Sequence, residues 1–196
     1  MKVLLLVTAF LLCGATQANE PTPTVLEAFA SAPDTRIKQE IDIGRLESAD
    51  ASMNMTALVL VNDGHQAGEM SGVRFELNNN VGTDVIYLDP AQLDLLRRDL
   101  NGLEIGRASL EEYGGDAPYR VQGTESCWNP KSRTRIMCPS AYTFPDGRGL
   151  SLHALSSPDF QFPNRSAKEL MQLVESSLRA LGEPVPVIGE AHASSK

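Results

Sequence analysis

The chain has 196 residues, 42% of them hydrophobic, with 25 acidic against 17 basic side chains and a net charge of −8. Such a length is enough for one ordinary domain with its own core. The acidic balance excludes nucleic-acid binding driven by overall charge, because counterion release rewards clustered Lys and Arg.

Met1 and Lys2 give a positive start, and Val3 to Leu12 follow as an apolar run too short to span a bilayer. Small residues at Thr16 and Ala18 then fit the minus-three and minus-one positions of a signal peptidase site. We therefore expect residues 1–18 to be an export signal cleaved after Ala18. Cys13 ends the apolar run as a lipidated cysteine would, but Leu12 before it is a poor fit to a lipoprotein site. Lys2 is the one charged residue removed, which takes the net charge from −8 to −9. The expected location is the periplasm or the exterior, and the short signal favours a bacterial periplasm. Asn54-Met55-Thr56 and Asn164-Arg165-Ser166 would be glycosylation sites only in a eukaryotic host.

Of the three cysteines, Cys13 leaves with the signal, so Cys127 and Cys138 remain. In an oxidising compartment an even count predicts that they pair. By loop entropy a bridge closing so short a loop contributes roughly 3 kcal/mol.

Residues 19–35 read as an extended leader with Pro21, Pro23 and Pro33, whose Val25, Leu26 and Phe29 dock locally. From Ile37 to Ile43 apolar and charged residues alternate, the period of a half-buried strand. Ala57 to Val61 is continuously apolar, as in a strand buried on both faces, and Asn62-Asp63-Gly64 ends it. Val73, Phe75 and Leu77 alternate again, and Val85 to Leu88 makes a fourth strand. Short turns between these runs predict an antiparallel meander.

Asp89 and Pro90 provide a cap and a first helical residue. Leu93, Leu96, Leu100 and Leu103 form the apolar stripe that follows, with Gln92, Asp94, Arg97, Arg98 and Asn101 on the wet side. Four short strand candidates come next, around Tyr119 and Val121, Thr134 and Ile136, Tyr142 and Phe144, and Leu150 and Leu152. Pro145-Asp146-Gly147 should turn the last two into a hairpin. Ser166 and Glu169 match a capping box before the stripe Leu170, Leu173, Val174, Leu178 and Leu181, and Gly182 and Pro184 stop that helix. The expected fold is α+β: an antiparallel sheet of about seven to eight strands packed against two amphipathic helices, one mid-chain and one C-terminal. Residues 36–183 would form this single globular domain, and 184–196 a flexible tail.

Candidate chemistry is sparse. His65, His153 and His192 have no partner at ligand spacing, so no metal site is expected and no cofactor is implied. His153 should lie on the face of its strand opposite Leu152, at or near the surface. Gly68-Glu69-Met70-Ser71-Gly72 places its serine one position late for a nucleophile elbow, and a turn leading into a strand is the wrong setting. Ser126-Cys127-Trp128 echoes papain-like proteases, but Asn129-Pro130 follows where that family has a helix, and the expected disulfide uses the thiol. Glu111, Glu112, Asp116 and Glu125 leave room for a small carboxylate-dependent envelope hydrolase, since a glycosidase needs only two well-placed acids. No catalytic residue is assigned.

Lys131, Arg133 and Arg135 fall on every second residue beside the single tryptophan, Trp128, and a strand would point all three bases one way. Arg120 and Tyr119 lie on an expected neighbouring strand. Trp, Tyr and Arg are the side chains most enriched at binding hot spots. These six residues form the candidate surface for a protein or envelope component with an acidic patch. The bland reading, in which the bases only solvate an edge strand and Trp128 packs on the bridge, uses the same residues. The expected function is that of an exported, non-catalytic binding protein, inhibitor- or immunity-like, with no membrane span after signal removal.

Overall fold

The computed structural model of the protein describes residues 23–64, 67–114, 119–123, 137–144, 147–153 and 159–183. The architecture is α+β, but the strands form two antiparallel sheets of four rather than one sheet of seven or eight. The first contains β1 (Thr35–Glu47), β2 (Ala51–Asn62), β3 (Gly68–Asn79) and β4 (Thr83–Leu88), in that order. The second contains β5 (Tyr119–Gln122), β6 (Cys138–Phe144), β7 (Gly147–His153) and β8 (Phe160–Pro163), also in order. Helix α2 (Pro90–Gly114) separates the two meanders in the chain, so each one closes on itself by local hairpins before the next begins. Sequence periodicity marks strands but does not say which strand pairs with which, and that is why a single sheet was the simpler expectation.

Helix α2 packs against α3 (Ala167–Ala180), β3, β4, β5 and β6, while α3 also packs on β1 and β2. One continuous core results. Met53, Met55, Phe75, Leu77 and Leu88 of the first sheet meet Leu150, Leu152, Phe160 and Phe162 of the second, and Leu93, Leu96, Leu100 and Leu103 of α2 close over them. The leucine stripe is buried as its spacing predicts. Arg97 departs from its expected place on the wet side: it is 3% exposed, and its Nε and Nη2 donate to Asp94 Oδ1 at 3.1 and 2.8 Å. An arginine is tolerated there because the carboxylate one turn earlier pairs it.

Both helix starts use side-chain caps. The Gln92 N–H donates to Asp89 Oδ1 at 2.9 Å and the Asp89 N–H to Gln92 Oε1 at 3.0 Å, while Ser166 and Glu169 form the predicted capping box on α3. Gly182, at φ 75°, ends α3 by donating to the Arg179 carbonyl, and Glu183 donates back to Leu178. This is a Schellman ending.

The leader contains a helix, α1 (Val25–Ala30), capped by Thr24, whose Oγ1 accepts the Glu27 N–H and donates to the Tyr87 carbonyl. Its Leu26 and Phe29 bury with Leu58 and Leu60 on the face of β2 turned away from the main core. The apolar run 57–61 is thus covered on both sides, as its composition requires. Gly72 permits the close approach, since a Cβ there would collide with the Leu26 side chain and the Leu88 carbonyl oxygen. The glycines around Ser71 therefore serve strand packing rather than a nucleophile turn. At the β1 edge, a bulge between Ile37 and Gln39 breaks the alternation and leaves Ile37 47% exposed.

Candidate functional site

The register of the second sheet sorts its residues into two faces. Val121 pairs with Ala141, Ala141 with Leu150, Leu150 with Phe162, and Leu152 with Phe160, and these face the core. The alternate pairs, Gln122 with Ser140, Cys138 with His153, Ser140 with Ser151, and Ser151 with Gln161, lie on the opposite face. That face is polar throughout. A two-residue period applied to F-Q-F in β8 and L-S-L-H in β7 is enough to produce it.

Three ionisable groups meet at one end of this face. Arg120 on β5 donates from Nη2 to Asp159 Oδ2 at 3.0 Å and from Nε to Ser140 Oγ at 3.1 Å. Asp159 Oδ1 lies 2.7 Å from His153 Nδ1. Burial opposes ionisation of Asp159, but hydrogen bonds from His153 and Arg120, together with their charges, outweigh it and hold the carboxyl below its ordinary range. Beneath the cluster, Ser140 and Ser151 are 1% and 2% exposed, and the Ser151 hydroxyl has no hydrogen-bond partner. A buried hydroxyl left unpaired costs about 1–3 kcal/mol, so it marks a place where a fold has spent stability.

Of the predicted surface, Arg120 is therefore exposed but tied to Asp159 rather than standing as a free cation. Tyr119 opens β5. Trp128, Lys131, Arg133, Arg135 and Cys127 lie outside the described residues, as does the strand candidate around Thr134 and Ile136. The ends of that segment are described: Gly123 donates its N–H to the Pro139 carbonyl at 2.9 Å, next to Cys138, which is buried at the start of β6. Since Cys138 pairs with His153, and Asp159 is bonded to His153, segment 124–136 leaves and returns at the same end of the sheet as the ionic cluster.

Sequence reasoning placed His153 opposite Leu152, and it is there, 47% exposed against 0% for Leu152. It missed Asp159, Ser140 and Ser151. The available signal was Phe160-Gln161-Phe162, an alternation short enough to pass as a loop, whose recognition as β8 would have carried Asp159 to the side of His153.

Glu111 and Glu112 lie in the last turns of α2, while Asp116 and Glu125 fall outside the described residues. The described carboxylates whose acidity clearly departs from normal are Asp94, Asp159 and Glu169, all lowered: burial opposes the shift in each, and hydrogen-bonded partners, Arg97, His153 and Ser166 foremost, outweigh it. A general acid at neutral pH needs the opposite shift. No group of three or more His, Cys, Asp or Glu positioned for a metal ion occurs among the described residues, and no described helix is long and apolar enough to cross a membrane. No protein-family model matches the chain, and no curated protein matches it in sequence.

Proposed function

We propose that the chain is an exported, non-catalytic binding protein whose partner surface is the polar end of the second sheet together with segment 124–136. One observation carries the reading: an exposed Arg120–Asp159–His153 cluster lies over a buried, unpartnered Ser151 hydroxyl, at the end of the sheet where that segment is rooted. The ion pairs fix the geometry of the face, and the segment brings Trp128 and the bases Lys131, Arg133 and Arg135 to its edge. Export follows from the signal in residues 1–18, and with it the pairing of Cys127 with Cys138. A bridge at the root of the segment would restrict it before binding and so lower the entropy lost on docking. The downward shifts of the described carboxylates support binding over acid-base hydrolysis.

Capture from an envelope extract by the wild-type protein and by Arg133→Glu/Arg135→Glu, followed by measurement with the purified retained component, tests the proposal. Binding that weakens with rising salt and falls at least about tenfold in the charge-reversed variant is expected, since close charge pairs at interfaces contribute on that scale. Equal retention by both proteins at all salt concentrations would remove the segment from the interface.

A further inference from the structure

A cavity of about 350 Å³ opens between the β6–β7 hairpin, α2 and the start of α3. Its sheet residues Tyr142 and Gly149 pair with each other near the Phe144–Gly147 end of the hairpin, away from His153. Three guanidinium groups, Arg107, Arg148 and Arg165, and one carboxylate, Glu104, line it. In a chain of net charge −8 that is a local excess of positive charge.

Glu104 already answers part of it. Its Oε2 accepts from Arg107 Nη2 at 2.9 Å, and its Oε1 accepts the Lys168 N–H at 3.1 Å, so it ties α2 to the first turn of α3. Arg165 is anchored by Nε on the Glu47 carbonyl at 2.9 Å and by Nη1 on Glu169 at 3.1 Å, and its Nη2 makes no hydrogen bond among the described residues. Arg148 stands exposed at the rim. The floor is different in kind, made by Ala141, Tyr142 and the bare backbone of Gly149, over which the Tyr142 ring lies. A Cβ at Gly149 would sit 2.5 Å from the Tyr142 hydroxyl oxygen, so only glycine allows the ring to close down there.

We propose that this cavity binds a small organic carboxylate, its apolar body on the Ala141–Tyr142–Gly149 floor and its carboxylate between Arg148 and Arg165. Guanidinium groups present planar forks that match a carboxylate. The volume lies at the small end of ligand sites, which suits a body of about one six-membered ring.

Titration of the purified protein with benzoate, benzyl alcohol and inorganic phosphate, followed by amide shifts of Gly149, Ser166 and Ala167, provides the test. Benzoate should give saturable shifts with a roughly millimolar dissociation constant, as befits so small a ligand. Benzyl alcohol, which has the ring without the charge, should bind about tenfold more weakly or worse, and so should benzoate to Arg148→Ala. Arg165→Lys keeps the charge and loses the fork, so it should show a similar loss even where Arg165→Ala disturbs the start of α3. Phosphate binding as tightly as benzoate would overturn the assignment by showing that the floor contributes nothing. Absence of saturable benzoate shifts, or shifts indifferent to both arginine variants, would overturn it as well. The Arg133→Glu/Arg135→Glu protein should bind benzoate normally, so this proposal and the partner surface fail separately.

Discussion

In the first sheet, β2 is apolar on both faces, and α1 covers with Leu26 and Phe29 what the main core does not reach. In the second sheet the core-facing side is equally apolar, yet the other side carries Arg120, Ser140, Ser151 and His153. Both sheets have four antiparallel strands, so topology does not separate them. The separation lies in what each second face has been given to bury. An apolar second face contributes to stability and must be covered by the chain itself. A polar one contributes little, and an unpaired hydroxyl within it subtracts, so its persistence calls for a reason other than folding.

The largest effect expected from this contrast is on the scaffold. Phe75 of β3 is 0% exposed in the shared core, and Phe75→Ala should cost about 3–5 kcal/mol, the usual range for emptying a buried aromatic site. Urea unfolding would show it as a lower midpoint with an unchanged slope. A loss below roughly 1 kcal/mol would mean that the first sheet is less of a scaffold than its burial implies.

The two sheets also differed in how readable they were from residues alone. Strands β2 to β4 and the stripe of α2 follow from runs such as Ala57–Val61 and from leucines at helical spacing, because burial on a regular element imposes a period. The capping box at Ser166 was legible for the same local reason. The division into two sheets was not, since pairing partners are fixed by tertiary packing. Asp159 was illegible as a partner of His153 because the contact depends on β8, four residues long and broken at once by Asn164 in the left-handed region. Of the candidate surface, Arg120 was found by composition, but its bond to Asp159 turned a cation offered to a partner into part of an internal network.

A smaller effect concerns that network. Asp159 is partly buried, with Arg120 and His153 about half exposed, so the pairing should contribute only about 0.2–1 kcal/mol, the range of exposed ion pairs. Its pH dependence is the sharper signature. Because the folded protein holds Asp159 below its ordinary value, the unfolded chain takes up the proton first as pH falls, and the stabilisation is then progressively lost. It is fully present above the ordinary carboxylate range, from roughly pH 5, and is gone once pH has dropped through the folded value. The stability gap between wild type and Asp159→Asn should therefore be open at pH 5 and close on acidification. A gap independent of pH between 5 and 2 would show that the asparagine acts through packing and that the cluster is not held by charge.

The smallest change in stability is expected where the two sheets differ most. Ser151→Ala deletes a hydroxyl that is buried at 2% exposure and makes no hydrogen bond, at a position facing Ser140 across the β6–β7 ladder. Removing a satisfied buried hydroxyl normally destabilises, because its partner is orphaned; removing an unsatisfied one returns its desolvation cost instead. The lost volume is one oxygen atom, too little to open a cavity of consequence. Ser151→Ala should therefore unfold within about 0.5 kcal/mol of wild type, or be more stable by up to about 1 kcal/mol. If the second face exists for a partner, the same variant should bind the captured envelope component more weakly despite its unimpaired fold. Destabilisation by more than about 1 kcal/mol would instead mean that the hydroxyl is satisfied in solution, for example by an ordered water. The polar face would then be as much a part of the scaffold as Leu58 and Leu60 are in the first sheet, and the contrast between the sheets would no longer point to a binding site.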